Sequence, residues 1–210
     1  MRRDMRGIWM GRIWRRGNSL DGWFSGVMNR WNAFLWGVRV GRNCRFYGRL
    51  HFRRVEYSTI AIGDDCTFRS GVRSNLIGLN RPCMISTLRR DAAIRIGSGC
   101  GMSGTVIGAA QCIEVGNSVL IGANTTITDT DWHGTAPADR RKEGASEPVI
   151  IEDNVLIGMN CIVLKGVTIG RNSIIGAGSV VTRSIPENVV AGGNPARILK
   201  ELERKGMAHA

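Results

Sequence analysis

The sequence from residue 115 to residue 132 reads VGNSVL IGANTT ITDTDW, and from residue 151 to residue 186 it reads IEDNVL IGMNCI VLKGVT IGRNSI IGAGSV VTRSIP. Each six opens with an aliphatic residue, glycine often follows it, and the fifth residue is usually small. This six-residue period is typical of a parallel β-helix, in which three short strands form one triangular coil. Gly and Asn suit the corners of such a coil because they adopt a positive φ more readily than other residues. The stretch therefore predicts an all-β fold built from hexapeptide repeats.

The repeat continues toward the N-terminus as far as Val40, where it is less regular, and residues 76–93 fit it least. Beyond residue 186 the period ends, and residues 196–204 are predicted to form a short helix that covers the last coil. We predict three regions: a basic, Trp-rich helical segment over residues 1–37, a β-helix over 38–188 with a protruding loop at 133–150, and a C-terminal turn and capping helix over 189–210.

The N-terminal segment follows a helical period instead. Its apolar residues recur at the spacing of one helix face, namely Leu20, Trp23, Phe24, Val27, Met28, Trp31, Phe34 and Leu35. Residues 1–54 hold 13 Arg and 2 Asp, whereas the rest of the chain is nearly neutral. Two interpretations stay open: the helix packs on the β-helix or a neighbouring subunit, or residues 1–36 contact an anionic membrane surface. We expect no nucleic-acid partner, because no base-reading motif accompanies the charge.

The cysteines indicate the compartment. Cys44, Cys66, Cys100 and Cys161 each take the fifth, inward position of a six, and no Cys-x-x-Cys pair occurs. This pattern favours reduced core thiols rather than disulfides or a metal site. No apolar run approaches the roughly 20 residues of a spanning helix, and arginines and glycines interrupt the start where a secretory signal would have its apolar core. We expect a cytoplasmic protein, at the inner face of the membrane if the N-terminal segment binds lipid.

The interruption of the repeat at residues 133–150 predicts a loop that leaves a corner of the β-helix. Loops on a rigid scaffold are common places for functional sites. His133 opens this loop, and an imidazole is a suitable general base for a hydroxyl near neutral pH. Asp131 lies two residues earlier, so in an extended strand its side chain faces the same way and could orient the imidazole or meet an acceptor. A purely structural role for His133 is the alternative.

Residues 115–202 resemble the hexapeptide-repeat acyltransferases, specifically the maltose and galactoside O-acetyltransferases and their relatives in polysaccharide biosynthesis. The resemblance rests on the repeat itself and on three motifs, DTDWH at 129–133, IGAGSVVTR at 175–183 and GGNPAR at 192–197. It implies a left-handed parallel β-helix and a homotrimer with its active site between two subunits. It also implies acetyl-CoA as the acyl donor, a sugar hydroxyl as the acceptor, and no requirement for a metal.

The same resemblance implies roles for single residues. His133 would be the general base of a direct transfer without an acyl-enzyme, and Glu143 would support it. The coenzyme contacts fall on Met159, Ala177, Thr182, Arg183 and Lys200. Of these, the two cations would face the phosphates. Ser103 and Trp132 are the candidate acceptor-binding residues.

The sequence departs from the family pattern in two places. The acceptor-binding Asn of the family falls on Met102 or Ser103, and the basic, Trp-rich start is unlike the short sugar acetyltransferases. We therefore expect an O-acetyltransferase of polysaccharide or lipid-linked glycan biosynthesis. An N-acetyltransferase of a nucleotide-linked amino sugar and a non-catalytic trimeric scaffold stay open as alternatives. A zinc enzyme on the same repeat is disfavoured, because His133 has no partner His in the coils.

Overall fold

The computed structural model describes residue 9 and residues 22–203. Within residues 22–203 the chain forms one α-helix, α1 (residues 22–35), two short 3-10 turns at Val72–Ser74 and Pro137–Asp139, and twenty strands. The strands are β1 Arg39–Val40, β2 Arg45–Tyr47, β3 His51–Arg53, β4 Thr59–Ile62, β5 Thr67–Arg69, β6 Met84–Thr87, β7 Ala93–Ile96, β8 Gly101–Ser103, β9 Val106–Ala109, β10 Cys112–Val115, β11 Leu120–Ile121, β12 Thr126–Thr128, β13 Val149–Ile151, β14 Leu156–Ile157, β15 Ile162–Val163, β16 Thr168–Ile169, β17 Ile174–Ile175, β18 Val180–Val181, β19 Val189–Gly193 and β20 Ala196–Glu201.

The strands wind into a triangular prism, because each coil contributes one strand to each of three sheets. The first sheet has the order β1-β4-β7-β10-β13-β16, the second β2-β5-β8-β11-β14-β17-β19-β20, and the third β3-β6-β9-β12-β15-β18. The register stacks equivalent positions of successive sixes, so that Val115 pairs with Ile96 on one side and Ile151 on the other. The predicted parallel β-helix is therefore confirmed.

The opening aliphatic residues fill the prism. Ile96, Ile121, Ile127 and Ile157 are buried, and full burial of one such side chain contributes about 1.5–3 kcal/mol. On the second sheet, the first two coils have Phe46 and Phe68 at this position, and the two rings stack with centroids 5.3 Å apart.

The corners use Asn and Gly for different reasons. Asn154 and Asn172 have φ of 60° and 61°, as the prediction required. Gly158 does not have a positive φ. A Cβ built on Gly158 would lie 2.5 Å from the backbone nitrogen of Ala177 in the next coil. The glycine at the second position is therefore needed there for the close approach of two coils.

The inward cysteines add hydrogen bonds to the stack. The thiols of Cys44, Cys66 and Cys161 each donate to the carbonyl of a glycine in the next coil at 3.2 Å. Thr125 makes the same contact to Gly158 at 3.0 Å. A small side chain that can donate thus forms a hydrogen bond to the next coil from the fifth position, which elsewhere holds valine, as at Val119 and Val155. All six cysteines are free, and the four predicted inward ones, Cys44, Cys66, Cys100 and Cys161, are buried, which confirms that these four are core thiols.

The predicted capping helix at the C-terminus is wrong over its described part. β20 instead runs antiparallel to β19, which itself extends the second sheet beside β17. A helix of about nine residues is marginal in water, whereas β20 satisfies the open hydrogen-bonding edge of β19. The turn between them contains Gly193, whose φ is +103°. Residues 204–210 lie outside the described residues.

The predicted N-terminal helix is confirmed as α1, but the face that packs on the β-helix is not the apolar one. The predicted apolar face is exposed, and the opposite face packs on the first coil through Asn29 and Ala33. No helix within residues 22–203 has the length and apolar content to cross a bilayer. The rest of the predicted segment 1–37, apart from residue 9, lies outside the described residues.

Candidate active site

The loop that carries His133 leaves the corner between the third and first sheets, after β12. Asp129, the first residue after β12, is fully buried. The Asp129 carboxylate accepts hydrogen bonds from the backbone N–H groups of Ala110, Gln111 and Cys112 at 2.6, 2.7 and 2.7 Å. Hydrogen bonds to an ionised acceptor are stronger than neutral ones. Asp129 therefore fixes the point at which the chain leaves the prism, a role that the sequence analysis did not predict.

Lys165, which follows β15 at the same corner, joins the two ends of the loop. Its ammonium lies 3.5 Å from the carboxylate of Asp131 on the outgoing segment and 3.3 Å from that of Glu147 on the returning segment. The hydrogen bond to Glu147 and the charge of Asp131 raise the pKa of Lys165 above its ordinary value. The two segments also pair directly, since the N–H of Asp131 donates to the carbonyl of Ala145 at 3.0 Å. These contacts hold the two ends of the loop together at its base, and we call this group of Asp131, Ala145, Glu147 and Lys165 the loop neck.

Arg89, which follows β6, holds the far side of the loop. Its Nε lies 2.9 Å from the Glu143 carboxylate, and its two terminal nitrogens donate to the Gly144 carbonyl at 2.9 Å and to the Ser146 hydroxyl at 3.1 Å. Gly144 is buried against His133: a Cβ built on it would lie 2.7 Å from the His133 carbonyl oxygen. Arg89 therefore presses residues 143–146 against the backbone of His133. The sequence analysis did not single it out, because it lies in the least regular coil.

The His133 side chain itself is exposed. Its backbone N–H donates to the Asp131 carbonyl at 2.7 Å, with Trp132 between them at a φ of 65°. Within residues 22–203 no hydrogen bond joins the imidazole to Asp131 or Glu143. These carboxylates pair instead with Lys165 and Arg89. The structure thus presents an imidazole on a fixed backbone, and the catalytic roles of the two acids stay predictions.

A cleft of about 560 Å³ runs along the second sheet across successive coils. It brings together two of the predicted site residues, Ser103 and Met159. The amide of Asn75 also reaches it and donates to the Ser103 hydroxyl at 3.1 Å. Asn75 comes from the loop between β5 and β6, which the sequence analysis treated only as an irregular coil. The cleft therefore contains a side-chain amide close to the place where the family's Asn is missing.

The other predicted residues lie elsewhere on the chain. Ala177 stacks above Met159 at the corner between the second and third sheets. Thr182 and Arg183 follow β18 and are exposed at the corner from which the His133 loop leaves. Lys200 lies on β20, opposite Val190. Within one chain the third sheet therefore separates His133 from the Ser103–Met159 cleft. Among residues 22–203, no three His, Cys, Asp or Glu side chains are arranged to hold a metal ion.

Comparison with known proteins agrees with this architecture. Residues 148–183 match the family described as hexapeptide repeat of succinyl-transferase. The galactoside O-acetyltransferase of Lactococcus lactis is 52% identical over 92 residues, which are 43% of this chain and 44% of that protein. The chain resembles the hexapeptide-repeat acyltransferases. It spans less than half the length of that curated relative.

Two solved structures extend the likeness to most of the chain. The polysialic acid O-acetyltransferase OatWY superposes with a TM-score of 0.64 at 26% identity, covering 82% of this chain and 79% of that one. AntD, an N-acyltransferase from Bacillus cereus solved with dTDP-4-amino-4,6-dideoxyglucose and coenzyme A, superposes with a TM-score of 0.60. It is 21% identical and covers 80% of this chain and 85% of its own, so it supports the fold alone. The predicted left-handed parallel β-helix is confirmed.

Proposed function

We propose that this chain is an acetyl-CoA-dependent O-acetyltransferase that acts on a sugar hydroxyl, with His133 as the general base. The observation that carries the proposal is an exposed imidazole on a loop whose backbone is held by Asp129, Lys165 and Arg89. A general base must be within reach of the proton it takes, and a fixed backbone limits where the imidazole can lie.

In the proposed reaction His133 accepts the proton of the acceptor hydroxyl as its oxygen attacks the thioester carbonyl. The carbon–sulfur bond then breaks, and the imidazolium returns the proton to the departing coenzyme thiolate. A backbone N–H would stabilise the negative charge that develops on the carbonyl oxygen. The acetyl group passes directly to the sugar, so no acyl-enzyme forms.

We infer a homotrimer because one chain carries the two halves of the site on opposite edges of its third sheet. His133 and Trp132 lie at one corner, and Ser103 lies in the cleft at the other. A neighbouring subunit can bring its His133 loop to that cleft. Ser103 and Trp132 would then contact the acceptor from two subunits.

The coenzyme would lie between the same two subunits. Met159 and Ala177 would contact the pantetheine arm, for which their stacked corner offers backbone groups of adjacent coils. Thr182, Arg183 and Lys200 are exposed, so the two cations are available to the phosphates.

The acceptor class follows from the cleft and from the relatives. The polar pair of Asn75 and Ser103 suits a sugar hydroxyl, and Ile77 adds an apolar wall beside them. The similar proteins named above act on a galactoside and on polysialic acid. We infer a polymeric or lipid-linked glycan, acetylated in the cytoplasm, a location that the free buried thiols support.

The test is acetyl-CoA turnover against a panel of glycan acceptors and nucleotide-linked amino sugars. We expect His133→Ala to lower the rate at least ~10²-fold, the usual contribution of a general base. The control is His51→Ala, which removes an exposed imidazole from β3 and should leave turnover unchanged. Equal rates for wild type and His133→Ala would overturn the role of His133. Turnover confined to the amino sugars would favour the N-acetyltransferase, and no binding of coenzyme A would favour the scaffold.

A further inference from the structure

α1 lies across the open end of the prism, below the first coil. At the corner between β2 and β3, the Asn29 amide donates to the Gly48 carbonyl at 2.9 Å and accepts from the Leu50 N–H at 2.8 Å. The Gly48 N–H in turn donates to the Ser25 hydroxyl at 3.1 Å. These bonds satisfy backbone groups of the first coil on the side that faces α1, where no further strand lies among residues 22–203.

The same helix is bonded at the other two corners of the first coil. The Arg30 guanidinium donates to the Gly41 carbonyl at 3.4 Å, after β1. The Arg54 guanidinium, after β3, donates at 2.6 Å to the carbonyl of Trp36, the residue that directly follows α1. Because α1 is held at all three corners, its orientation on the prism is set, and its outer face points away from the end of the β-helix.

That outer face is apolar and exposed. Trp23 and Phe34 are each 72% exposed and Trp31 is 63% exposed, whereas Asn29 on the inner face is 1% exposed. The Trp31 and Phe34 rings stack with centroids 5.8 Å apart. The outer face consists of Trp23, Phe24, Val27, Met28, Trp31, Phe34 and Leu35. A contiguous apolar surface of this kind marks an interaction site rather than ordinary surface.

The surroundings of this face are strongly basic. Residues 22–54 contain seven Arg and no Asp or Glu. Four of these arginines on the first coil are exposed and form no ion pair with any acidic residue that the structure describes, namely Arg39, Arg45, Arg49 and Arg53. An apolar helix face beside unpaired guanidinium groups is complementary to a surface with an anionic outer layer and an apolar interior.

We propose that the outer face of α1 binds an anionic phospholipid membrane, so that this end of the prism faces the bilayer. Trp and Phe side chains would lie at the headgroup boundary, and the arginines of the first coil would contact lipid phosphates. A second copy of the chain is a poorer occupant of the face, because it would bring the same unpaired arginines together. The proposal goes beyond the acetyl transfer and does not depend on it.

The test is co-sedimentation of the full chain with vesicles of phosphatidylcholine, with and without about 30% phosphatidylglycerol. We expect binding to the anionic vesicles, and weaker binding when NaCl rises from about 0.1 M to about 0.5 M. Trp31→Ser/Phe34→Ser should lower the partition coefficient at least about tenfold, because it removes two large apolar side chains from the face. Trp23→Ser/Val27→Ser should lower the partition coefficient in the same way, and this second variant replaces the first if the first folds poorly.

The matched control is Val72→Ser/Leu76→Ser. These side chains are 71% and 83% exposed and lie on the loop between β5 and β6, outside α1 and its apolar outer face, so the control should bind like wild type. Equal partitioning of wild type and both α1 variants, or no binding of wild type to anionic vesicles, would overturn the proposal. A lower molecular mass of the α1 variants in vesicle-free sedimentation would also overturn it, since the face would then be a contact between protein chains.

Discussion

The Arg89 guanidinium donates to the carbonyl of Gly144 at 2.9 Å, and Gly144 lies directly against the backbone of His133. A residue 44 positions earlier in the chain therefore sets the position of the candidate base. Arg89 also contacts Glu143 and Ser146, so one side chain holds three of the four residues from 143 to 146.

We expect Arg89→Met to lower kcat about tenfold or more, since a small displacement of a catalytic group is costly. Binding of coenzyme A should stay unchanged, because none of the predicted coenzyme residues contacts Arg89. Arg89→Lys, which keeps the charge but loses the planar fork, should recover only part of the rate. Steady-state kinetics and direct calorimetric binding separate the two effects. An unchanged kcat, or an equal loss of coenzyme binding, would contradict the positioning role.

Gly144→Ala tests the contact between the loop and His133. The new Cβ would lie 2.7 Å and 2.9 Å from backbone atoms of His133, so the backbone must shift. We expect a loss of about 1–3 kcal/mol in the free energy of unfolding, as for other overpacked sites, together with reduced turnover. The control is Gly26→Ala in α1, where no atom lies within 4 Å of the new Cβ. It should be neutral or stabilising by up to about 1 kcal/mol. Chemical denaturation of both variants gives the comparison.

Much of the fold could be predicted because the hexapeptide signal is local. Each six carries its own inward aliphatic residue, and the coils repeat it in register. The wrong prediction of a capping helix and the unpredicted buried face of α1 both come from contacts that are distant or not periodic. β20 replaces the expected helix because β19 offers an open edge, which is a property of the assembled sheet. The buried face of α1 is small and polar, built on Asn29, so hydrophobic spacing marked the opposite face.

The candidate site was likewise predictable only where its residues belong to, or interrupt, the regular repeat. His133 could be found because its loop breaks a strict period and contains one of only three histidines. Arg89 and Asn75 could not, because they come from the coils that fit the repeat least. Their importance depends on which corner each one reaches, and that follows only from the three-dimensional winding.

Asn75→Ala tests the polar pair in the cleft. If the Asn75 amide and the Ser103 hydroxyl bind the acceptor, the substitution should raise the KM for the acceptor about three- to tenfold, the worth of one ordinary hydrogen bond. The KM for acetyl-CoA should not change. Asn80→Ala is the matched control, because Asn80 lies on the same loop and bonds Asn124 only through its backbone N–H. An equal effect of both substitutions would indicate a general disturbance of the loop and not a contact with the acceptor.

Lys165 predicts how the loop neck responds to alkaline pH. Its pKa is raised in the folded protein by the Glu147 hydrogen bond and the Asp131 charge. A raised folded pKa means that the ion pairs stabilise the fold fully below the ordinary lysine pKa of about 10.4, and that this contribution is lost as pH rises through the folded value. We therefore expect wild type to unfold at a higher temperature than Lys165→Met between pH 7 and about pH 10. The difference should shrink at higher pH, as the ammonium loses its proton. Thermal unfolding of both proteins across this range checks the sign. A difference that persists unchanged above the lysine pKa would mean that Lys165 acts through the packing of its aliphatic stem and not through its charge.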